Sequence, residues 1–174
     1  MASILKVDTI QGATSATAVK MPAGHVIQTV TKSFTDITTI TTYGTTYTDI
    51  TNTNITITPK YNNSKILIMP NIVFYLAITG TYVYGGFRLL RGSSTVIAPT
   101  NSTDGNGAYD YGAGFPSSGV VQFGSRHCGH HIDTPATTSA TTYKFQGQCY
   151  SAGRSLVING GDAGSSILAM EISV

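Results

Sequence analysis

The sequence predicts an all-β fold, a jelly-roll-like antiparallel β-sandwich preceded by an extended N-terminal arm. Threonine is the most frequent residue, and it favours strands and turns over helices. Glycine occurs 19 times, and charged residues make up only 10% of the chain. No window places apolar residues at helical spacing with polar residues between them. The 174 residues suffice for one domain with a buried core and a small appendage.

The predicted sandwich is organised around Ser64–Thr79, the longest apolar segment of the sequence. Pro70 would break a helix here, and the many Ile and Val residues favour extended backbone. In a strand, alternate residues form two faces: Ile66, Ile68, Ile72, Phe74 and Leu76 on one, and Leu67, Met69, Val73, Tyr75 and Ala77 on the other. Both faces are apolar, so we expect an opposing sheet to cover one, and a neighbouring element or a partner chain to cover the other. Because proline has no N–H group, we also expect a bulge or a bend at Pro70.

The first 24 residues are predicted to form an arm outside the sandwich domain, which comprises residues 25–174. Ser3–Ile10 alternates well enough for one short strand, whereas residues 11–20 are small and polar and Pro22–Gly24 forms a hinge. Such a segment buries too little apolar surface to stay ordered alone. We therefore expect it to dock onto another molecule through four apolar residues: Ile4, Leu5, Val7 and Ile10.

The other strands follow at short spacing, separated by turn signals. We expect them at His25–Phe34, Thr48–Thr58, Tyr82–Arg91, Thr95–Ile97, Val120–Ile132, Thr141–Ser151, Leu156–Asn159 and Ser165–Val174. Thr35–Tyr47 is predicted to be a bend and Arg91–Ser94 a hairpin turn. In the last strand we expect Leu168, Met170 and Ile172 to point inward and Glu171 outward. The number of strands is typical of a jelly roll.

Residues 99–119 are predicted to form a long loop, because their sequence shows no periodicity. Loops of this length in compact domains are usually functional or mobile. Their Tyr, Ser, Gly and Asn content is typical of recognition loops. In that interpretation Tyr109, Tyr111 and Phe115 stack on sugar rings, and Asp104, Asn106 and Asp110 bind sugar hydroxyls. The alternative is a loop that packs on a neighbouring subunit.

Residues 126–131, Arg-His-Cys-Gly-His-His, form the only cluster of metal-type ligands in the sequence. If Val120–Ile132 pairs with Thr141–Ser151, Cys128 lies opposite Cys149 with His130 on the same face, and with His127 and His131 on the other face. Three interpretations stay open: a zinc site formed by Cys128, Cys149 and His130, a disulfide, or two buried free thiols with the histidines at a polar surface or subunit interface. The sequence has no CxxC spacing, which favours the last interpretation and no metal or cofactor.

Several classes of function find no support in the sequence. The net charge is only +2, and the ten Lys and Arg residues are scattered, so nothing indicates nucleic-acid binding. No apolar run reaches the length of a membrane span, and residues 1–20 lack the apolar region of a signal peptide. No nucleophile elbow, zinc-protease motif or glycosidase-type carboxylate pair occurs, so we expect no enzyme. The low charge suits an ordered assembly, because identical surfaces then approach without repulsion.

Four stretches together carry a resemblance to known proteins: Ser3–Gln11, Ile57–Lys60 leading into Ser64–Ile68, Asp133–Lys144, and Ser165–Ile172. They resemble virion structural and fibre-like proteins of tailed bacteriophages, particularly those that infect marine bacteria and cyanobacteria. The resemblance implies a trimeric β-sandwich on the virion surface, as a head decoration or as a tail-fibre or baseplate tip, without catalytic residues. This sequence has no long shaft between arm and sandwich, which favours a short decoration or adaptor.

The expected function is therefore that of a non-enzymatic virion protein, made in the host cytoplasm and assembled as a homotrimer. Its arm is expected to bind other virion proteins of the capsid or tail. The alternative is a lectin-like module whose loop, residues 99–119, binds a glycan on the host surface.

Overall fold

The computed structural model is an all-β sandwich, as the sequence predicts. It describes residues 22–41, 46–79, 82–98, 109–114, 120–150, 152–161 and 163–174. Within these ranges the chain forms thirteen strands in two antiparallel sheets, one of seven strands (sheet A) and one of six (sheet B). The same ranges contain no helix long and apolar enough to cross a membrane.

Each sheet draws its strands from the whole length of the domain. Sheet A contains β1 (Val26–Phe34), β2 (Thr38–Ile40), β5 (Lys65–Thr79), β9 (Val120–Cys128), β10 (His131–Asp133), β12 (Ser155–Ile158) and β13 (Ser165–Ile172). Sheet B contains β3 (Thr48–Asp49), β4 (Ile55–Ile57), β6 (Tyr82–Arg91), β7 (Thr95–Ala98), β8 (Tyr109–Gly114) and β11 (Thr141–Cys149). Most of the predicted strands are confirmed with ends shifted by at most two residues.

Strand β5 is the centre of sheet A and pairs along both of its edges. One edge pairs with β13 and then β12, and the other with β10 and then β9. The predicted inner face is confirmed, because its five residues are at most 1% exposed: Ile66, Ile68, Ile72, Phe74 and Leu76. These side chains meet those of sheet B, where Phe87 lies edge-on to Phe74 at 5.0 Å between ring centroids. The longest apolar segment therefore anchors the core.

No bulge forms at Pro70 against β13, contrary to the sequence-based expectation. The register runs unbroken through the pair Pro70–Ile167. On the other edge, β10 pairs His131 with Ile68 and β9 pairs Cys128 with Asn71, so the two intervening residues, Gly129 and His130, are not in a strand. The predicted strand 120–132 is thus split into two opposite the proline. The sheet accommodates the missing N–H group by interrupting the neighbouring strand instead of β5.

The expected orientation of β13 is wrong. Ile167, Ala169 and Glu171 are at most 1% exposed and point into the sandwich, whereas Leu168, Met170 and Ile172 lie half-buried on the outer face. Side chains on a strand alternate between faces, so the burial of Glu171 decides the orientation of the whole strand.

Short strands occur where the sequence predicts loops or longer strands. The loop predicted for residues 99–119 contains β8, which pairs with β6. The bend predicted for residues 35–47 contains β2, which pairs with β12. The strand predicted at 48–58 is two strands, β3 and β4, separated by a turn in which Asn52 has a φ of 60°. These strands are short or lack apolar alternation, so their long-range partners determine them more than their own sequence does.

Candidate interaction surface

The outer face of sheet A carries a contiguous group of apolar side chains, here called the outer apolar patch. It consists of Leu67, Met69, Ile132, Leu168, Met170 and Ile172. Met69 is 40% exposed and Ile132 57% exposed, and the other four are half-buried. The strand register makes them neighbours, because Leu67 lies opposite Ile132 on one side and Met170 on the other, and Met69 lies opposite Leu168.

The patch arises from two alternating apolar patterns that meet in register. The odd-numbered residues of β5 and the even-numbered residues of β13 both point outward, so their apolar side chains form adjacent rows. The described part of the chain does not cover this face. Contiguous apolar surface of this kind marks an interaction site on soluble proteins more often than a free surface.

The charges of this face are positive over the described strands. Lys65 lies exposed at one end of the patch, opposite Ile172, and Arg126 lies exposed further along the face, opposite Val73. The two acidic residues of these strands, Asp133 and Glu171, are buried on the inner side. The outer face therefore combines apolar contact area with a positive potential.

Beyond the patch, the same face contains a hollow of about 470 Å³, here called the Tyr75 hollow. Its lining includes Val73, Tyr75, Gln122, Gly124, Arg126 and Gly160. The Arg126 guanidinium donates through Nη1 to Asn71 Oδ1 at 3.0 Å, which fixes it at the border between the hollow and the patch. Opposite it, Gly160 packs against the Tyr75 ring so closely that a Cβ atom there would lie 2.2 Å from Tyr75 Cε1.

The point at which the N-terminal segment enters the domain lies beside Ile172. Gly24 N–H donates to the Ser173 carbonyl, and Ser173 N–H donates to the His25 carbonyl, each at 2.9 Å. The His25 N–H donates to the Pro22 carbonyl at 3.3 Å across a turn in which Gly24 has a φ of 86°. The predicted hinge is thus held to the end of β13. The proposed docking residues Ile4, Leu5, Val7 and Ile10 lie outside the described residues.

The candidate recognition residues are only partly within the described ranges. Asp104, Asn106 and Phe115 lie outside them. Tyr109, Asp110 and Tyr111 belong to β8, where they pair with Phe87, Gly86 and Gly85 of β6. For these three the prediction of an irregular loop is wrong, because they belong to a strand paired with β6.

Cys128 and Cys149 are not brought together. The prediction paired the strands that contain them, but β9 pairs with β5 in sheet A, and β11 pairs with β6 in sheet B. Cys128 therefore lies exposed opposite Asn71, while Cys149 is buried opposite Gly85, and neither forms a disulfide. Among the described residues no three His, Cys, Asp or Glu side chains are close enough together to hold a metal ion. The zinc and disulfide interpretations are both wrong for this arrangement.

Two of the three clustered histidines are core residues and not surface residues. His127 is 1% exposed, stacks on Phe87 with 4.9 Å between ring centroids, and meets Phe145 edge-on at 5.8 Å. Burial, together with a smaller effect of the nearby His131, lowers the pKa of His127 to about 4. Burial also lowers the pKa of His131, with a smaller contribution from the exposed His130. Both buried rings are therefore neutral at pH 7 and belong to the packing between the sheets.

Comparison with known proteins gives distant matches to structures of viral particles. A structure of the Gx strain of infectious bursal disease virus matches 85% of this chain at 15% identity and a TM-score of 0.38. The VP2 subviral particle of the same virus matches 86% at 12% identity and a TM-score of 0.38. The T=1 particle derived from this virus matches 100% at 11% identity and a TM-score of 0.36.

This chain spans 33% to 41% of the length of these matched chains. No protein-family model and no curated protein matches it. At TM-scores below 0.5, the viral structures carry no argument about its activity or partners.

Proposed function

We propose that this chain is a non-enzymatic structural subunit of a virus particle of the tailed-bacteriophage type. In this proposal the sandwich forms a homotrimer through the outer apolar patch, and residues 1–24 dock onto other capsid or tail proteins. The subunit then acts as a head decoration or as a tail-fibre or baseplate tip. The sequence resemblance supports the assignment to a bacteriophage particle, and the outer apolar patch supports the formation of a trimer.

The outer apolar patch is the observation that carries the proposal. A strand with two apolar faces needs cover on both, and the described chain supplies cover for one. Contact between copies would bury Met69 and Ile132, the two most exposed members of the patch. Burial of apolar surface contributes roughly 25 cal/mol per Å², so even a modest contact area favours association.

The place where the chain enters the domain supports a separate role for the N-terminal segment. Two backbone hydrogen bonds fasten Pro22–His25 to Ser173, one from Gly24 N–H to the Ser173 carbonyl and one from Ser173 N–H to the His25 carbonyl. The point at which the chain enters the domain is therefore fixed beside the patch. Twenty-one residues extend at most about 70 Å from that point. In the proposal, this length lets the segment bind a neighbouring particle protein.

Sedimentation of the full chain at micromolar concentration tests the assembly. A mass of three subunits of 18.3 kDa is expected, whereas a stable monomer contradicts the proposal. Deletion of residues 1–21 tests the docking role, and should leave the trimer intact while preventing incorporation into particles. Normal incorporation of the truncated chain would show that the segment is not the docking element. Cryo-electron microscopy of particles that contain the full chain then distinguishes a head position from a tail position.

A further inference from the structure

Gly124 has no structural reason to be a glycine within the sandwich. It lies in the interior of β9, where glycine weakens a strand unless something needs the space. Its φ is not in the left-handed region, and a Cβ atom there would meet nothing nearer than the Phe74 carbonyl oxygen at 4.0 Å. In contrast, Gly147 is required by packing, because a Cβ atom there would lie 2.6 Å from Ile40 Cδ1.

The residue opposite Gly124 leaves this space open. An aromatic side chain across from a strand glycine commonly covers it. Tyr75 is the cross-strand partner of Gly124, but its ring leans the other way, against Gly160. The result is the Tyr75 hollow, with the bare backbone of Gly124 between an aromatic ring and a guanidinium.

The lining of this hollow defines the chemistry that it accepts. Tyr75 offers an aromatic ring and a phenol, Gln122 an amide that both donates and accepts, and Arg126 a planar set of N–H donors. Arg126 is the charged residue of the lining, and the one hydrogen bond described for it goes to Asn71. A guanidinium placed in this way binds a planar carboxylate through two parallel hydrogen bonds.

We propose that the Tyr75 hollow binds a sugar residue that carries a carboxylate. The sugar ring lies over the Gly124 backbone against Tyr75, its carboxylate binds Arg126, and a hydroxyl binds Gln122. The volume of about 470 Å³ falls within the range of small-ligand sites, and its open form suits one residue of a longer saccharide.

This binding site is separate from the outer apolar patch. Tyr75 lies six residues beyond Met69 on β5, which corresponds to about 20 Å at roughly 3.3 Å per residue. Contact between copies centred on Met69 and Ile132 therefore leaves the Tyr75 end of the hollow accessible, while Arg126 lies nearer the patch, opposite Val73. The inference is independent of the assembly proposed above, and failure of either leaves the other standing.

Two substitutions remove binding by different physical routes. Gly124→Leu fills the hollow, and its Cβ atom meets no atom closer than 4.0 Å, so the fold should be retained. Arg126→Gln removes the charge, and should weaken binding by about 10- to 100-fold, as expected for loss of hydrogen bonds to a charged group. The matched controls are Thr31→Leu, which adds a leucine elsewhere on the same face, and Lys60→Gln, which removes an exposed charge elsewhere.

The probes are tetragalacturonate and sialyllactose, with neutral tetragalactose and lactose as their uncharged counterparts. Binding is followed by calorimetry and by saturation-transfer NMR on the full chain. We expect at least one acidic probe to bind the wild type and both control variants. The same probe should bind Gly124→Leu and Arg126→Gln much more weakly. If Gly124→Leu lowers the melting temperature, Arg126→Gln still provides the test.

Four outcomes would overturn the proposal. The first is that neither acidic probe binds the wild type at concentrations up to about 10 mM, which corresponds to a binding free energy of about −3 kcal/mol. The neutral probes bind equally well, so that the carboxylate is irrelevant. Lys60→Gln weakens binding as much as Arg126→Gln does, which indicates general charge attraction. Polyglutamate competes in the hollow as strongly as the sugar, which indicates an acidic peptide as the ligand.

Discussion

The hydroxyl of Ser64 donates a 2.7 Å hydrogen bond to Oε1 of Glu171, and both residues are buried. The same oxygen accepts from the backbone N–H groups of Lys60 and Tyr61, and Oε2 accepts from Gln28 Nε2 at 2.6 Å. These bonds fasten the turn before β5 to β13 and β1. They also turn Glu171 inward, which places Leu168 and Met170 on the outer apolar patch.

Substitution of Glu171 should destabilise the domain according to how many donors lose their acceptor. Glu171→Gln keeps one acceptor oxygen and should cost about 1–2 kcal/mol. Glu171→Leu removes the acceptor of Ser64, Lys60 and Tyr61 and should cost about 3–5 kcal/mol. Urea unfolding at pH 7 measures both values. Equal costs for the two variants would show that packing, and not hydrogen bonding, is what Glu171 supplies.

The pH dependence of the free energy of unfolding provides a second test of the role of Glu171. Burial alone would raise the pKa of Glu171, but the hydrogen bonds to its carboxylate outweigh this effect and lower the pKa below its ordinary value of 4.5. The carboxylate therefore contributes stability above about pH 4.5 that is lost as the pH falls below this value. The advantage of the wild type over Glu171→Gln should shrink in that range. Asp49→Asn is the comparison for a partly exposed carboxylate. Hydrogen bonds from Lys144 and Gln146 lower the pKa of Asp49 as well, but solvent screening should keep its contribution at or below about 1 kcal/mol.

The sequence predicts β5 well because its apolar pattern is long and is bounded by turn residues on both sides. It does not predict the orientation of β13, because both faces of this strand carry apolar residues. Ile167 and Ala169 are on one face and Leu168 and Met170 on the other, so either face could point into the core. The orientation of β13 is determined by the hydrogen-bond donors that hold Glu171 inward. Only the fold brings these donors to the carboxylate, since Ser64 and Glu171 are 107 residues apart. Long-range pairing also explains why the predicted partner of Cys128 is wrong. Only the short strand β10 separates β9 from β11 in the chain, yet β9 and β11 belong to different sheets. The one sequence feature that relates to the Tyr75 hollow is Gly124, a glycine within a strand. This glycine indicates an open space only when its neighbours in the sheet are known.

Acid should destabilise the domain through His127. Its pKa is about 4 in the folded chain and near 6.5 when unfolded, so the unfolded chain takes up the proton first as the pH falls. Stability is complete above pH 6.5 and decreases between pH 6.5 and pH 4, by about 3 kcal/mol in total. Unfolding free energies measured across this range should show the decrease. His127→Phe should reduce it, and His130→Gln should retain the part that His127 causes.

Introduction of a charge into the outer apolar patch should dissociate the proposed trimer. Met69→Lys places an ammonium group where apolar contact is expected, while the monomer should change by no more than about 0.5 kcal/mol because the side chain is on the surface. Sedimentation reports the mass, and urea unfolding reports the stability. Val96→Lys is the matched control, because Val96 is 37% exposed on β7 of sheet B and Met69 is 40% exposed. If both variants stay trimeric, the patch is not the contact.

The two cysteines should differ in reactivity. Cys128 is exposed and Cys149 is buried, and neither forms a disulfide. A maleimide should therefore label one thiol in a native chain that has been dissociated by Met69→Lys, and two after denaturation. Mass spectrometry of the labelled peptides identifies the site. Protection of both thiols in the native chain, relieved by a reductant or a chelator, would restore the disulfide or zinc interpretation.

The adjacent glycines Gly160 and Gly161 should be sensitive to alanine for different reasons. A Cβ atom at Gly160 would lie 2.2 Å from Tyr75 Cε1, so Gly160→Ala must displace the Tyr75 ring and should cost about 1–3 kcal/mol. Gly161 has a φ of 73° and open space around it, so Gly161→Ala should cost about 1 kcal/mol through the backbone alone. A double-mutant cycle separates the two effects, because in a Tyr75→Ala background the cost of Gly160→Ala should largely vanish and that of Gly161→Ala should persist. Displacement of the ring should also weaken binding of an acidic sugar in Gly160→Ala, whereas Gly161→Ala should bind as the wild type does. An unchanged cost of Gly160→Ala in the Tyr75→Ala background would mean that Gly160 does not hold the Tyr75 ring in place.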